Sequence, residues 1–176
     1  MPHTDVLTRA LACVHPDPST WCTQEDEHAR LTADGARAWA FLEHQRWCPH
    51  IDSVRLGGGI GAVATVWLAE LEPTPGIGGW LWVVIGDLPS AYLVLDVSPD
   101  PISAFNTYAG MMRGWCTAVR AGRSLRDEFP IEAPADVASA DAIERRLDVL
   151  RTQVLPALAA CTAFPLRLDL HAASAR

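Results

Sequence analysis

With 176 residues, 49% of them hydrophobic and 20% charged, the chain has an ordinary globular composition. It is long enough to bury a core without disulfide or metal staples, since folding at this length removes about 70% of the accessible surface. The 14 basic residues are all Arg, which excludes Schiff-base chemistry, a Walker-type phosphate lysine and a lysine general base. Twenty-one acidic residues bring the net charge to −7, a field that repels phosphate backbones and argues against nucleic acid as a partner.

Cys13, Cys22, Cys48, Cys116 and Cys161 are odd in number and form no CxxC pair. They are expected to be reduced thiols in a cytoplasmic protein. The opening MPHTDVLTRA carries an early acid and no apolar core, so a signal peptide is not expected there. The longest uncharged runs, 56–69 and 73–86, are too short and too rich in Gly or Pro to span a bilayer. A membrane is therefore excluded as a partner.

In chain order, the first third is helical in pattern. Thr4 can cap a short helix bearing Val6, Leu7, Ala10, Leu11 and Val14, closed by Pro16 and Pro18. Thr23 followed by Glu25, Asp26 and Glu27 places acids in a first helical turn, where the helix dipole favours them. A stronger helix is predicted from Ala36 to Trp47, stopped by Pro49, so residues 1–35 read as a helical amino-terminal extension.

The middle is β in character. Two strands, Val54–Leu56 and Ala62–Leu71, are expected to flank a flexible turn at Gly57–Gly61. The second alternates with a period of two and suits a half-covered strand. Trp80–Ile85 is apolar on both faces and reads as a central strand, joined through an Asp87–Ser90 turn to a strand over Tyr92–Leu95.

The second half returns to helix. Asp100 caps and Pro101 opens a helix to about residue 121, with Ile102, Phe105, Ala109, Met112, Cys116 and Val119 as its stripe and Gly122 as its stop. Another begins at Ser139, with Ile143, Leu147, Leu150 and Val154 on one face, an Asp141–Arg145 pair on the other and Pro156 as break or kink. Leu166, Leu168 and Leu170 alternate in a tail (164–176) that could supply an edge strand. The sum is a single α+β domain over 1–176: an antiparallel sheet of about three to five strands packed against amino-terminal and carboxy-terminal helices.

Candidate sites are few. His44, Cys48 and His50 approach a zinc-ligand set, with His44 and Cys48 sharing a helix face, but no fourth ligand stands at recognisable spacing and the expectation is no metal. The GGGIG run lacks the following helix that a phosphate loop needs. Asp87 and Asp96, at the two ends of the strand pair, are the best carboxylates for acid–base work, and each is also explained by turn chemistry. Cys116 lies on an apolar stripe as core. Arg113, Arg120, Arg123 and Arg126 could hold an anion or be a solvated face. No catalytic elbow, zincin motif or cofactor fingerprint is present, so no cofactor is expected.

The run WLWVVIGDLPSAYLVLD (Trp80–Asp96), with AGRSLRDEFPI (Ala121–Ile131), resembles an uncharacterised bacterial family known only as a domain of unknown function. The resemblance covers about residues 36–155 and implies no activity and no site residues. Two readings follow from the residues themselves. One is a small acidic binding protein, immunity-like or regulatory and without catalysis, whose charge favours a basic protein partner and whose seven Trp exceed the needs of one core. The other is an enzyme or small-molecule binder using Asp87, Tyr92, Asp96 and His50 in a pocket between sheet and helices. A homodimer is compatible with either.

Overall fold

The computed structural model describes residues 2–15, 25–73 and 78–162. Its elements run α1 (Pro2–Ala12), α2 (Glu25–Glu43), β1 (Ile51–Ile60), β2 (Ala64–Leu71), β3 (Trp80–Gly86), β4 (Ala91–Val94), a 3₁₀ turn (Leu95–Val97), α3 (Pro101–Arg120), α4 (Val137–Val149), a π turn (Leu150–Val154) and α5 (Leu155–Thr162). The four strands pair antiparallel in the order β1-β2-β3-β4. The fold is α+β, as expected. Pro16, Pro18, Cys22, Thr23 and the alternating Leu tail lie outside the described residues, and the first helix begins at Pro2, so Thr4 is inside it.

Both faces of the sheet are covered. Leu31, Ala38 and Leu42 of α2 pack on Trp67, Ala69, Leu71, Leu81, Val83 and Ile85. On the opposite face Ala64, Val66, Leu68, Trp82 and Val84 meet Phe105, Tyr108, Met112, Ile143, Leu147 and Leu158 from α3, α4 and α5. β2 is therefore buried on both sides and not half-covered: its alternation reflects two different neighbours, not core and water. The hairpin of β3 and β4 stands as predicted, with Trp82 opposite Leu93 and Val83 opposite Tyr92. Trp82 is fully buried against the helices, its indole N–H donating to the Ser98 carbonyl at 2.7 Å.

The glycine run departs most from expectation. β1 continues through Gly57, Gly58 and Gly59 to Ile60, and the turn falls at residues 61–63. These glycines serve close packing. A Cβ on Gly57 would lie 2.7 Å from the Trp82 ring, and one on Gly58 would lie 2.4 Å from Leu158 Cδ1 in α5. Gly58 also has φ +136°, which L side chains rarely adopt. A register shift between Leu56 and Gly58 marks the bulge that results.

The long helix α2 starts at Glu25, so 25–35 belongs to the sheet-covering layer and not to an extension. Gly35 does not interrupt it because the Trp67 ring lies 3.0 Å from where a Cβ would stand, and that contact outweighs the ~1 kcal/mol helical cost of glycine. It ends at Glu43, before Pro49 can act, where His44 Nδ1 and Gln45 Nε2 meet the carbonyls of Ala40 and Phe41. Helix α3 is capped by Asp100 in a reciprocal box with Ser103, and Gly122 follows its end at φ +61°. Asp100 also pairs with Arg9, which ties α1 to the start of α3. Helix α4 is capped by Asp136 and begins at Val137, slightly before Ser139. Pro156, which lacks an N–H and crowds the Thr152 carbonyl, follows a π turn, so α4 and α5 continue as one interrupted helix.

Candidate functional site

Features that could do chemistry or binding gather at one end of the sheet, where the 61–63 turn and the turn after β3 lie side by side. Ala62 there has φ +64°, the only non-glycine residue among those described with positive φ. Two carboxylates of α2 hold it: Glu27 Oε1 accepts from the Gly61 N–H at 2.7 Å, and Asp34 Oδ2 from the Ala62 N–H at 2.8 Å. Asp34 is only 2% exposed. It also takes a 2.9 Å bond from Arg37 through Oδ1, and Arg37 reaches on to the Gly86 carbonyl at 3.0 Å.

Beneath Asp34, the Thr65 hydroxyl points its one hydrogen between Asp34 Oδ2 (3.2 Å) and the Ile85 carbonyl (3.3 Å). The same oxygen accepts the Trp67 indole N–H at 2.9 Å. A buried carboxylate satisfied by two protein donors and a cation is a structural pin. Sequence reasoning missed this network because its members are scattered from residue 27 to residue 86. The sole local signal was a mid-helix Asp beside Gly35.

On the other face of the same turn, Val63, Ala64, Leu88, Val149 and Leu150 line a cavity of about 60 Å³, with Asp87 and Arg146 completing its wall. Arg146 Nε donates to Asp87 Oδ2 at 2.7 Å. Both side chains face solvent, Asp87 at 67% exposure and Arg146 at 44%. Leu150, which lines the cavity, is also the first residue of the π turn, a geometry often found at functional positions. A cavity of this size is small beside metabolite sites, which need about 300 Å³ or more.

The other candidates are dispersed. Asp96 is exposed in the 3₁₀ turn beyond β4, at the far end of the hairpin from Asp87. Val94 pairs with Leu81, so five residues of β3 separate its level from Gly86, roughly 16 Å at about 3.3 Å per residue. Tyr92 lies on the α2 face, its ring 4.6 Å from that of Trp47 and 6.5 Å from that of Phe129. His50 is exposed, with Nε2 3.9 Å from Asp52. Asp87, Tyr92, Asp96 and His50 thus do not converge.

His44 and Cys48 share no helix face, because α2 has ended before Cys48. Among the described residues no group of three His, Cys, Asp or Glu side chains is placed to hold a metal ion. The Cys48 thiol is pushed up by burial and by Glu43. Cys116 is core as expected, its thiol facing the Ala140 carbonyl at 3.4 Å and pushed up by burial. Arg120 is engaged by Glu144 and Asp141, whose hydrogen bonds hold its guanidinium firmly protonated. Asp141 therefore bonds across helices, in place of the expected contact within α4. This removes Arg120 from an anion-binding group with Arg113, Arg123 and Arg126.

The tryptophans are largely absorbed by the fold. Trp67, Trp82 and Trp115 are buried, Trp47 packs at a tilt against Tyr92, and Trp80 carries the Arg55 guanidinium 5.3 Å from its ring centroid. A sheet covered on both faces has two cores to fill, which a count made for one core does not foresee. Trp39 is the one large aromatic among the exposed hydrophobic residues described. Among the described residues no helix is long and apolar enough to cross a membrane. No protein-family model matches this chain, and no curated protein or solved structure matches it.

Proposed function

We propose that this is an acidic binding protein that engages a basic protein partner and works without catalysis. The observation that carries this reading is the end of the sheet where an exposed carboxylate, Asp87, stands at a cavity of about 60 Å³. That volume suits one side chain of a macromolecule and not a metabolite, and a small pocket with a charged rim is the form that interface anchor sites take. A net charge of −7 favours a basic partner and speeds its encounter. The dispersal of Asp87, Tyr92, Asp96 and His50 disfavours an active site built from them, since a base and a reacting group must come within hydrogen-bond reach.

The test is affinity capture from the native host at low and moderate salt, beside a screen of hydrolase and transferase substrates. Capture of a basic protein that weakens as salt rises is the expected outcome. A specific turnover lost in Asp87→Asn or Asp96→Asn, with no such protein captured, overturns the reading.

A further inference from the structure

The cavity beside Asp87 already has a cation at its mouth, supplied by the chain itself. We infer that Arg146 stands in for a basic residue of the partner: the partner inserts a short apolar side chain between Leu88 and Val149, and its adjacent Arg or Lys takes Asp87 away from Arg146. This rests on the protein-binding reading above. The cavity walls are apolar apart from the Asp87–Arg146 pair, so an apolar group replaces water there without leaving polar atoms unmet. The pair lies largely in solvent, where such contacts are weak and exchange easily.

Position favours exchange as well. Arg146 lies one turn before Leu150, where the helix widens into its π turn, and Asp87 sits on a turn whose backbone N–H is already fixed to the Val63 carbonyl at 3.0 Å. The backbone that carries the short Asp87 side chain is thus fixed, while its guanidinium partner is carried on a long, flexible stem. An acidic chain selects a cation for the incoming residue and repels a carboxylate that would take Arg146 instead.

The probe is acetyl-Val-Arg-amide, with acetyl-Val-Gln-amide and acetyl-Ser-Arg-amide as controls, titrated into the full chain while backbone amide shifts are followed. The expected result is shifts at Val63, Leu88 and Leu150 that are strongest for the Val-Arg probe. Arg146→Gln should bind it about two- to fivefold tighter and Asp87→Asn about two- to fivefold weaker, the range of an exposed ion pair. Val149→Phe, at a half-buried position, should abolish the shifts while its thermal midpoint stays close to the parent's. Unchanged or weaker binding by Arg146→Gln, or shifts mapping elsewhere, overturns the inference. Salt-dependent capture of a basic protein that survives both Asp87→Asn and Val149→Phe overturns this pocket and leaves the binding reading standing. Loss of all salt-dependent capture by the parent overturns the reading itself.

Discussion

The sheet's two faces are closed by different means. One is covered by a single helix, α2, which buries Asp34 beside Leu31, Ala38 and Leu42. It is fastened at the turn end by Glu27, Asp34 and Arg37, and flanked by Trp47 packed at a tilt against Tyr92. The other is covered by α3, α4 and α5, whose larger apolar cluster includes Phe105, Tyr108, Met112 and Leu147. There the polar contacts run singly from a side chain to a backbone carbonyl, as from the Tyr108 hydroxyl to Pro89 and from the Trp82 indole N–H to Ser98, each at 2.7 Å. Directional bonds fix one helix accurately, while several helices fill volume and leave a packing defect where they meet the turn, beside Asp87.

The largest effect should come from the multi-helix face. Trp82→Ala removes a fully buried ring and the bond to the Ser98 carbonyl, and should cost about 3–5 kcal/mol in urea unfolding. A loss near 1 kcal/mol would mean that this core collapses freely around the gap, and the contrast between the faces would fail. Gly58→Ala comes next, at about 2–4 kcal/mol, because it adds strain at φ +136° to a clash with Leu158. Pairing it with Leu158→Ala should give less than the sum of the two losses, since only the clash is relieved. Strict additivity would show that α5 does not press on β1.

On the single-helix face the losses should come from polar groups. Asp34→Ala takes the carboxylate acceptor from the Ala62 N–H and leaves the Thr65 hydroxyl only the Ile85 carbonyl, and should cost about 2 kcal/mol. Arg37→Ala removes the cation and the bond to the Gly86 carbonyl but leaves Asp34 its Ala62 and Thr65 donors, and should cost about 1 kcal/mol. Equal losses would make Asp34 half of an ordinary surface pair and not the pin of α2.

How much of this could be read from the chain depends on how far each cause lies from its effect. The β3–β4 hairpin and α3 were legible because their signals are local: a run apolar on both faces, a turn at Asp87, and Asp100 before Pro101. The path of β1 through Gly57–Gly59 was not, because Gly57 and Gly58 answer to Trp82 and Leu158, far along the chain. The start of α2 was legible in the acids of its first turn, Glu25, Asp26 and Glu27, but its continuity across Gly35 was hidden, because Gly35 answers to Trp67. At the candidate site the sequence singled out Asp87 and a pocket between sheet and helices, but neither Arg146 nor the apolar walls, since a packing defect has no residue pattern of its own.

The smallest effect concerns the arm that joins α1 to the edge of the sheet. The His15 N–H donates to the Leu56 carbonyl at 2.8 Å, and burial pulls the pKa of its imidazole below the ordinary value of 6.5. The sign follows from proton binding. With the folded pKa depressed, the unfolded chain holds more protons than the folded one just below 6.5. Stability is then fully present above that pH and falls as the pH drops toward the folded pKa. His15→Gln abolishes the term while keeping the backbone bond. Urea midpoints measured at roughly pH 7.5 and pH 5.5, a window in which His titrates, should therefore fall further for the parent than for His15→Gln. The other histidines contribute equally to both proteins and cancel in the difference. Identical falls would place His15 in water and detach the arm from the edge of β1.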